Sequence, residues 1–293
     1  MIHDTDPDDV LARIVRWAEG EALVRAVVLT STRAAADAKT DRFSDYDVVL
    51  YATDVAALAE SAEWLGAVGR VMVCWPDQGV DEGFPFQMRL VIYEDDIKVD
   101  FTIAPVGRLA RMVETGLLPN ELDVGYRVLL DKDGRAAALP APTHTAHIPR
   151  PPSQAEFDAV VEEFWFETTY VAKNLWRDEL LPAKNSLETV MKLDLLRQVL
   201  EWRVEMDHGW ALRPGVMGRG LKRHLDAATW AELESTFAGA GIEANWRALF
   251  ATTRLFRRVA LEVAAGLGLA YPHHLDKYMT DYLRRVDTSS PRE

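Results

Sequence analysis

The sequence predicts an α+β protein, with a mixed first half and a helical second half. Three observations carry this. Apolar, β-branched runs such as Val24–Thr30 and 47–52 fall within residues 1–137, five prolines crowd residues 138–152, and from Ser153 onward the apolar residues recur at helical spacing. A chain of 293 residues also exceeds the usual single domain, which holds roughly 100–200 residues. The expected organisation is therefore a first domain over 1–137, a proline-rich linker over 138–152 and a helical domain over 153–293.

The opening helix is well punctuated. Asp6 is a natural cap, Pro7 suits the first turn, Asp9 favours the positive helix end and Gly20 stops the run, while Val10, Leu11, Ile14 and Trp17 form one apolar face. Val24–Thr30 reads as a buried strand, and a polar loop leads to a second strand over 47–52. A helix is expected over 55–65, a strand over 68–75, and a hairpin of 87–93 with 97–104 turning at Asp95-Asp96. Pro140, Pro142, Pro149, Pro151 and Pro152 then interrupt both helix and sheet. Beyond them Ser153-Gln154-Ala155-Glu156 is a capping-box sequence, followed by Phe157, Val160, Val161, Phe164 and Trp165 at helical spacing. Further helices are expected near 186–207, 228–238, 243–266 and 273–286, with breaks at Pro214-Gly215, Gly218, Gly220, 239–241 and 266–272.

The net charge is −13, of which residues 1–137 carry −11 and residues 138–293 carry −2. Such acidity excludes a protein that tracks nucleic-acid phosphates, which needs a basic stripe. It suits either a solvated surface or a cleft that attracts a cationic small molecule. Cys74 is the single cysteine, which rules out an internal disulfide and fits a reducing cytoplasm. The N-terminus lacks a secretory pattern and no stretch reaches the ~18 apolar residues of a membrane span. Expected partners thus include neither nucleic acid nor membrane, and the chain is expected to be a monomer or weak dimer.

The chemistry concentrates in Ser44-Asp45-Tyr46-Asp47, which enters an apolar strand. Carboxylates two apart on a strand share a face, so Asp45 and Asp47 converge. Such a pair suits magnesium, which is held by one or two carboxylates together with substrate phosphates. A further carboxylate, Asp100, lies in 97–103, where Ile97, Val99, Phe101 and Ile103 alternate with Lys98, Asp100 and Thr102; this places Asp100 on the polar face of a half-buried strand. Two exposed aspartates at a strand start are common, so D-x-D alone decides nothing. The ordered set of small-polar turn, D-x-D and later strand aspartate is more telling.

That set resembles the nucleotidyltransferase superfamily, which includes DNA polymerase beta and the aminoglycoside adenylyltransferases. More closely, the chain resembles the aminoglycoside 6-adenylyltransferase (streptomycin adenylyltransferase) family along nearly its whole length. The matching residues are Asp45-Tyr46-Asp47-Val48, Val99-Asp100-Phe101-Thr102, Leu129-Leu130-Asp131-Lys132-Asp133-Gly134, Glu163-Phe164-Trp165 and the block running from Tyr170 to Glu179. In one departure, Ser31-Thr32 precedes Arg33 where the family usually has Gly-Ser; glycine lets backbone amides approach a phosphate closely.

The resemblance implies a nucleotidyltransferase sheet with flanking helices, then an all-helical domain closing over a shared cleft. It implies ATP as co-substrate and two Mg²⁺ ions held by Asp45, Asp47 and Asp100, with Asp100 on the catalytic ion and able to take the acceptor's proton. Ser31, Thr32 and Arg33 would contact the triphosphate; the lesser alternative for Arg33 is a surface pairing with Asp37 or Asp41. Lys173, in the last family block, is a candidate phosphate ligand, with Arg219 and Lys222 as weaker ones; a helical lysine can also be a solvated surface. Glu163, Glu167 and Tyr170 stack on one helix side and either bind a cationic, hydroxylated acceptor or form an ordinary acidic face. Trp165, Phe166 and Trp176 fit core packing better than ligand stacking. Three functions remain open here: adenylylation of an aminoglycoside such as streptomycin, transfer to another small alcohol or a protein side chain, or a silent nucleotide-binding module.

Overall fold

The computed structural model describes residues 7–35, 40–212 and 216–289. The expected cap Asp6 and the break at Pro214-Gly215 lie outside them. The chain divides into two compact units, Met1–Ala146 and His147–Glu293.

The first unit is a mixed sheet with helices on both faces. Helix α1 (Pro7–Gly20) leads to β1 (Val24–Thr30) and β2 (Tyr46–Ala52), followed by α2 (Val55–Glu60), β3 (Val71–Asp81), β4 (Phe84–Tyr93) and β5 (Lys98–Pro105). Helices α3 (Val106–Thr115) and α4 (Asn120–Asp123) and strand β6 (Tyr126–Asp131) complete it. The six strands lie in the order β3-β4-β5-β2-β1-β6; β2 and β5 run parallel and every other neighbouring pair is antiparallel.

Alternation along these strands sends side chains to two cores. Val27, Leu29, Val48, Leu50, Val99 and Phe101 pack under Val10 and Ile14 of α1 and Leu58 of α2. On the opposite face Val28, Val49, Tyr51 and Ala104 pack under Leu109 and Met112 of α3 and Leu122 of α4.

The expected helix over 55–65 stops at Glu60 and resumes as a 3₁₀ turn over Glu63–Ala67. The expected strand over 68–75 is displaced and longer. It runs to Asp81 and turns through Glu82 and Gly83, both at positive φ, into β4, with the Phe86 ring lying over Gly79 where a Cβ would collide. Strand β6 and helices α3 and α4 are additions to the expected set.

The second unit is helical: α5 (Gln154–Trp176), α6 (Leu180–Lys184), a π-helical stretch Asn185–Leu196 running into α7 (Arg197–Asp207), then α8 (Ala227–Glu234), α9 (Ile242–Leu267) and α10 (His273–Asp287). Both hydrogen bonds of the Ser153/Glu156 capping box form at the start of α5. Phe157, Phe164, Trp165, Val199, Leu249 and Phe256 are buried in its core, where the rings of Phe164 and Phe256 stack at 3.5 Å. Trp165 is fully buried and Trp176 packs against the core, but Phe166 is 59% exposed, against the expectation of packing. It stands on the outward side of α5 and meets Tyr170 edge-on. Among the described residues no helix is long and apolar enough to cross a membrane.

Candidate active site

The parallel pairing of β2 with β5 sets Asp47 directly opposite Asp100, and Val49 opposite Thr102. In a parallel pair, opposed residues point to the same face. This is the face whose far end is covered by α3 and α4, so the two carboxylates stand where the apolar cover ends. There a cleft of about 400 Å³ is lined by Ser31, Asp47 and Asp100 on one side and by Asp81, Arg108 and Glu121 on another. Asp45 precedes β2, whose first residue is Tyr46, so it approaches from the loop rather than from the strand.

The ammonium of Lys98 ties this acidic group together. It donates to Asp45 Oδ2 at 2.6 Å and to Asp100 Oδ2 at 2.8 Å. Burial works against the charge on Lys98, but those hydrogen bonds outweigh it and raise its pKa. Asp47 has no such partner. Burial, then the charges of Asp100 and Asp45, push its carboxyl up to about 6, with Lys98 and a hydrogen bond from the Ser31 hydroxyl acting in the opposite direction. Across the cleft the buried guanidinium of Arg108 donates through one nitrogen to Asp81 and to Glu121 Oε1, the latter at 2.7 Å.

Arg33 sits differently from expectation. Its Nε donates to the carbonyls of Ser44 at 3.0 Å and Asp45 at 3.1 Å, its Nη2 to that of Ser44 at 2.7 Å, and its guanidinium lies 3.9 Å from the centre of the Tyr46 ring. It clamps the loop that presents Asp45, and its bond to Asp41 goes to the backbone carbonyl rather than the carboxylate. Asp37, the other expected partner, lies outside the described residues. Thr32 is half-buried in the same 3₁₀ turn, Ser31–Arg33.

Ser31 adopts φ +58°, the left-handed conformation that glycine takes without strain. For other residues this conformation costs about 1–2 kcal/mol, while glycine loses about 0.5–1 kcal/mol in chain entropy. Ser31→Gly is therefore expected to unfold in urea within about 1 kcal/mol of the wild type, whereas β-branched Ser31→Val loses about 1–3 kcal/mol. Equal stability of the valine variant would show that the turn does not depend on the left-handed residue.

In the second unit, Glu163, Glu167, Tyr170 and Lys173 all lie on α5, with the Lys173 ammonium 3.9 Å from the Tyr170 ring centre. Glu163 is exposed and Glu167 half-buried. Lys222 is not part of this group. It lies in a separate 3₁₀ turn, Leu221–Arg223, over the Trp230 ring at 4.6 Å.

Sequence reasoning assigned no role to Lys98 or to the Asp81, Arg108, Glu121 group. The signal for Lys98 was present: it lies two residues before Asp100 in an alternating strand and so shares its face. Arg108, Asp81 and Glu121 belong to three separate elements, and no local spacing connects them.

The oxygen donors fit a hard divalent cation such as magnesium. Asp100 Oδ1 is buried without a hydrogen-bond partner, and Asp47 carries an unfavourable negative environment that a cation would relieve. The three aspartates are nevertheless not drawn together as a closed ligand set. Among the described residues no three His, Cys, Asp or Glu side chains are grouped to hold a metal ion. Asp45 and Asp100 both pair with Lys98.

With a D-x-D pair entering one strand and an aspartate opposite it on a parallel neighbour, the class this fold and site define is the nucleotidyltransferases. The profile of the streptomycin adenylyltransferase family matches residues 6–286, and the chain belongs to that family. An aminoglycoside 6-adenylyltransferase of Bacillus subtilis (strain 168) is 32% identical over 92% of this chain and 94% of its own length. One from Campylobacter jejuni is 28% identical over 93% and 92%. A solved structure, an aminoglycoside 6-adenyltransferase from Bacillus subtilis, is 25% identical with 96% of this chain and 97% of that chain covered, at a TM-score of 0.45.

Proposed function

We propose that this enzyme transfers the adenylyl group of ATP to a hydroxyl of a streptomycin-like aminoglycoside and releases pyrophosphate, a modification that would confer antibiotic resistance on a cell holding it in its cytoplasm. The observation that carries this reading is the opposition of Asp47 and Asp100 at the mouth of an acidic cleft, in a member of this family. Residues 1–137 would carry the chemistry, 138–152 the linker and 153–293 the binding helices.

Two magnesium ions, when bound, would supply Lewis-acid stabilisation of the attacking and leaving oxygens. Asp45, Asp47 and Asp100 are the residues that would hold them. The acceptor oxygen forms a bond to the α-phosphorus as the bond to the pyrophosphate oxygen breaks, and the acceptor's proton passes to Asp100, whose Oδ1 has no partner. Ser31 and Thr32 are our candidates for the triphosphate, with Lys173 and Lys222 as phosphate ligands from the helical unit. Arg33 contributes by fixing the Asp45 loop. Glu163, Glu167 and Tyr170 are the candidates for binding the acceptor's cationic groups.

The test measures pyrophosphate release from ATP and Mg²⁺ with streptomycin and with simple uncharged alcohols. It is paired with calorimetric titration of streptomycin into protein carrying magnesium and a non-hydrolysable ATP analogue. Acceptor binding should weaken with added salt, since charges are screened over about 10 Å at 0.1 M. The double variant Glu163→Gln, Glu167→Gln should raise the acceptor's Kd by about three- to tenfold while changing nucleotide affinity little. Turnover of an uncharged alcohol, with no heat from streptomycin at millimolar concentration, would overturn the aminoglycoside assignment and leave the transfer chemistry.

A further inference from the structure

Lys98 is not used by the proposed reaction, yet its ammonium sits between two carboxylates of the cluster. It lies between Asp45 Oδ2 and Asp100 Oδ2, at 2.6 and 2.8 Å, two oxygens that the metal ions of that reaction would need. An ammonium and a divalent ion are both hard cations that seek carboxylate oxygen, and like charges set close together on these two atoms repel, so the two compete for them. Lys98 satisfies Asp100 only in part, since Oδ1 remains buried and unpaired. It also leaves Asp47 outside its hydrogen bonds.

We propose that Lys98 is a resident counter-ion that holds Asp45 and Asp100 in place of a divalent cation, so that metal enters tightly only with a nucleotide, whose phosphates give the displaced ammonium a new partner. This rests on the metal-dependent reading above. It makes Lys98 a positioning residue with effects of opposite sign. Without nucleotide the lysine competes with metal, whereas with nucleotide it favours the loaded state. A lysine that served only to keep the strand in shape would move both affinities in the same direction or neither.

The experiment titrates Mn²⁺ into the full chain without nucleotide, reading free Mn²⁺ by electron paramagnetic resonance, for the wild type, Lys98→Met, Lys98→Gln and Asp47→Asn. The affinity of a non-hydrolysable ATP analogue is then measured with Mg²⁺ present. Methionine matches the length of the lysine stem without its charge, and glutamine retains an amide donor should the methionine variant fold poorly. Removing the competing charge should tighten Mn²⁺ binding by about tenfold in either Lys98 variant and weaken binding of the ATP analogue by a similar factor. Mn²⁺ binding by the Lys98 variants that is no tighter than wild type, while Asp47→Asn abolishes it, overturns the role of Lys98 and leaves the metal reading standing. Identical Mn²⁺ binding by all four proteins overturns both, and no binding by any of them overturns the role of Lys98 alone.

Discussion

Asp47→Asn is expected to lower adenylyl transfer by about 10³-fold or more, some 4 kcal/mol of barrier, while leaving the protein at least as stable as the wild type. The activity loss follows from the position of Asp47 opposite Asp100, where a neutral amide would replace one proposed metal-holding oxygen. The stability expectation follows from linkage. The carboxyl of Asp47 is raised from the ordinary 3.8 to about 6, first by burial and then by Asp100 and Asp45, so between those values the folded state binds the proton more tightly than the unfolded chain. Stability attributable to this group is present below about pH 4 and is lost as pH rises through about 6. Asparagine removes that cost. Thermal melts without metal should therefore agree at pH 4 and show the variant equal or higher at pH 7. An asparagine variant with activity within tenfold of wild type, or one that melts far below it at pH 7, would show that Asp47 serves the fold rather than the reaction.

What could be read from sequence was set by the range of the interactions. The strand bearing Asp100 was legible because Ile97 to Ile103 alternate in a period of two, and the β4–β5 hairpin because Asp95-Asp96 marks its turn, where Asp96 takes φ +63°. The capping box at Ser153 and Glu156 was equally local. The placement of Asp47 against Asp100 depends on a parallel pairing across 53 residues of register, Asp47 to Asp100, which no local pattern encodes. Strand β6 was missed because it lies at the sheet edge and none of its residues is fully buried, so its alternation is weak. Helix α3 follows β5 without a loop, with Pro105 as its cap, and thus lacks the polar signal that marks a helix start.

Arg33 illustrates a different limit. Its triad with Asp45 and Ser44 is made to backbone carbonyls, which every residue possesses, so the sequence offers only a cation near acids and suggests phosphate or carboxylate partners. The last family block, by contrast, was legible as a helix face, and the structure does keep Tyr170 and Lys173 together. Upstream of it on the same helix, the difference between Trp165, fully buried, and its neighbour Phe166, exposed, follows from helix phase alone.

Asp276→Ala is expected to destabilise the helical unit by about 3 kcal/mol, because it leaves an arginine and a tyrosine without their shared acceptor. Asp276, in the first turn of α10, is 7% exposed and accepts from Arg257 Nε of α9 at 2.6 Å, from the Tyr271 hydroxyl at 2.9 Å and from Thr280 Oγ1 at 3.1 Å. Tyr271 in turn accepts from Trp165 Nε1 of α5 at 3.3 Å, so one carboxylate links three helices. Burial alone would raise the pKa of Asp276, but hydrogen bonds from Arg257 and Tyr271 outweigh it and the pKa is lowered. Its contribution to stability is accordingly present above the ordinary carboxylate pKa and is lost as pH falls through the lowered folded value. The Arg257 side chain is 29% exposed, so solvent screens part of the pair and holds the expected loss at the lower end of the buried range. Asp276→Asn, which keeps one acceptor oxygen, should lose about half as much. Trp165 lies between Glu163 and Glu167 on α5, so the alanine variant should also loosen the helix that carries the proposed acceptor ligands. Urea unfolding followed by tryptophan fluorescence at pH 7 measures the effect, and an unchanged midpoint for the alanine variant would show that Arg257 and Tyr271 are satisfied by solvent rather than by Asp276.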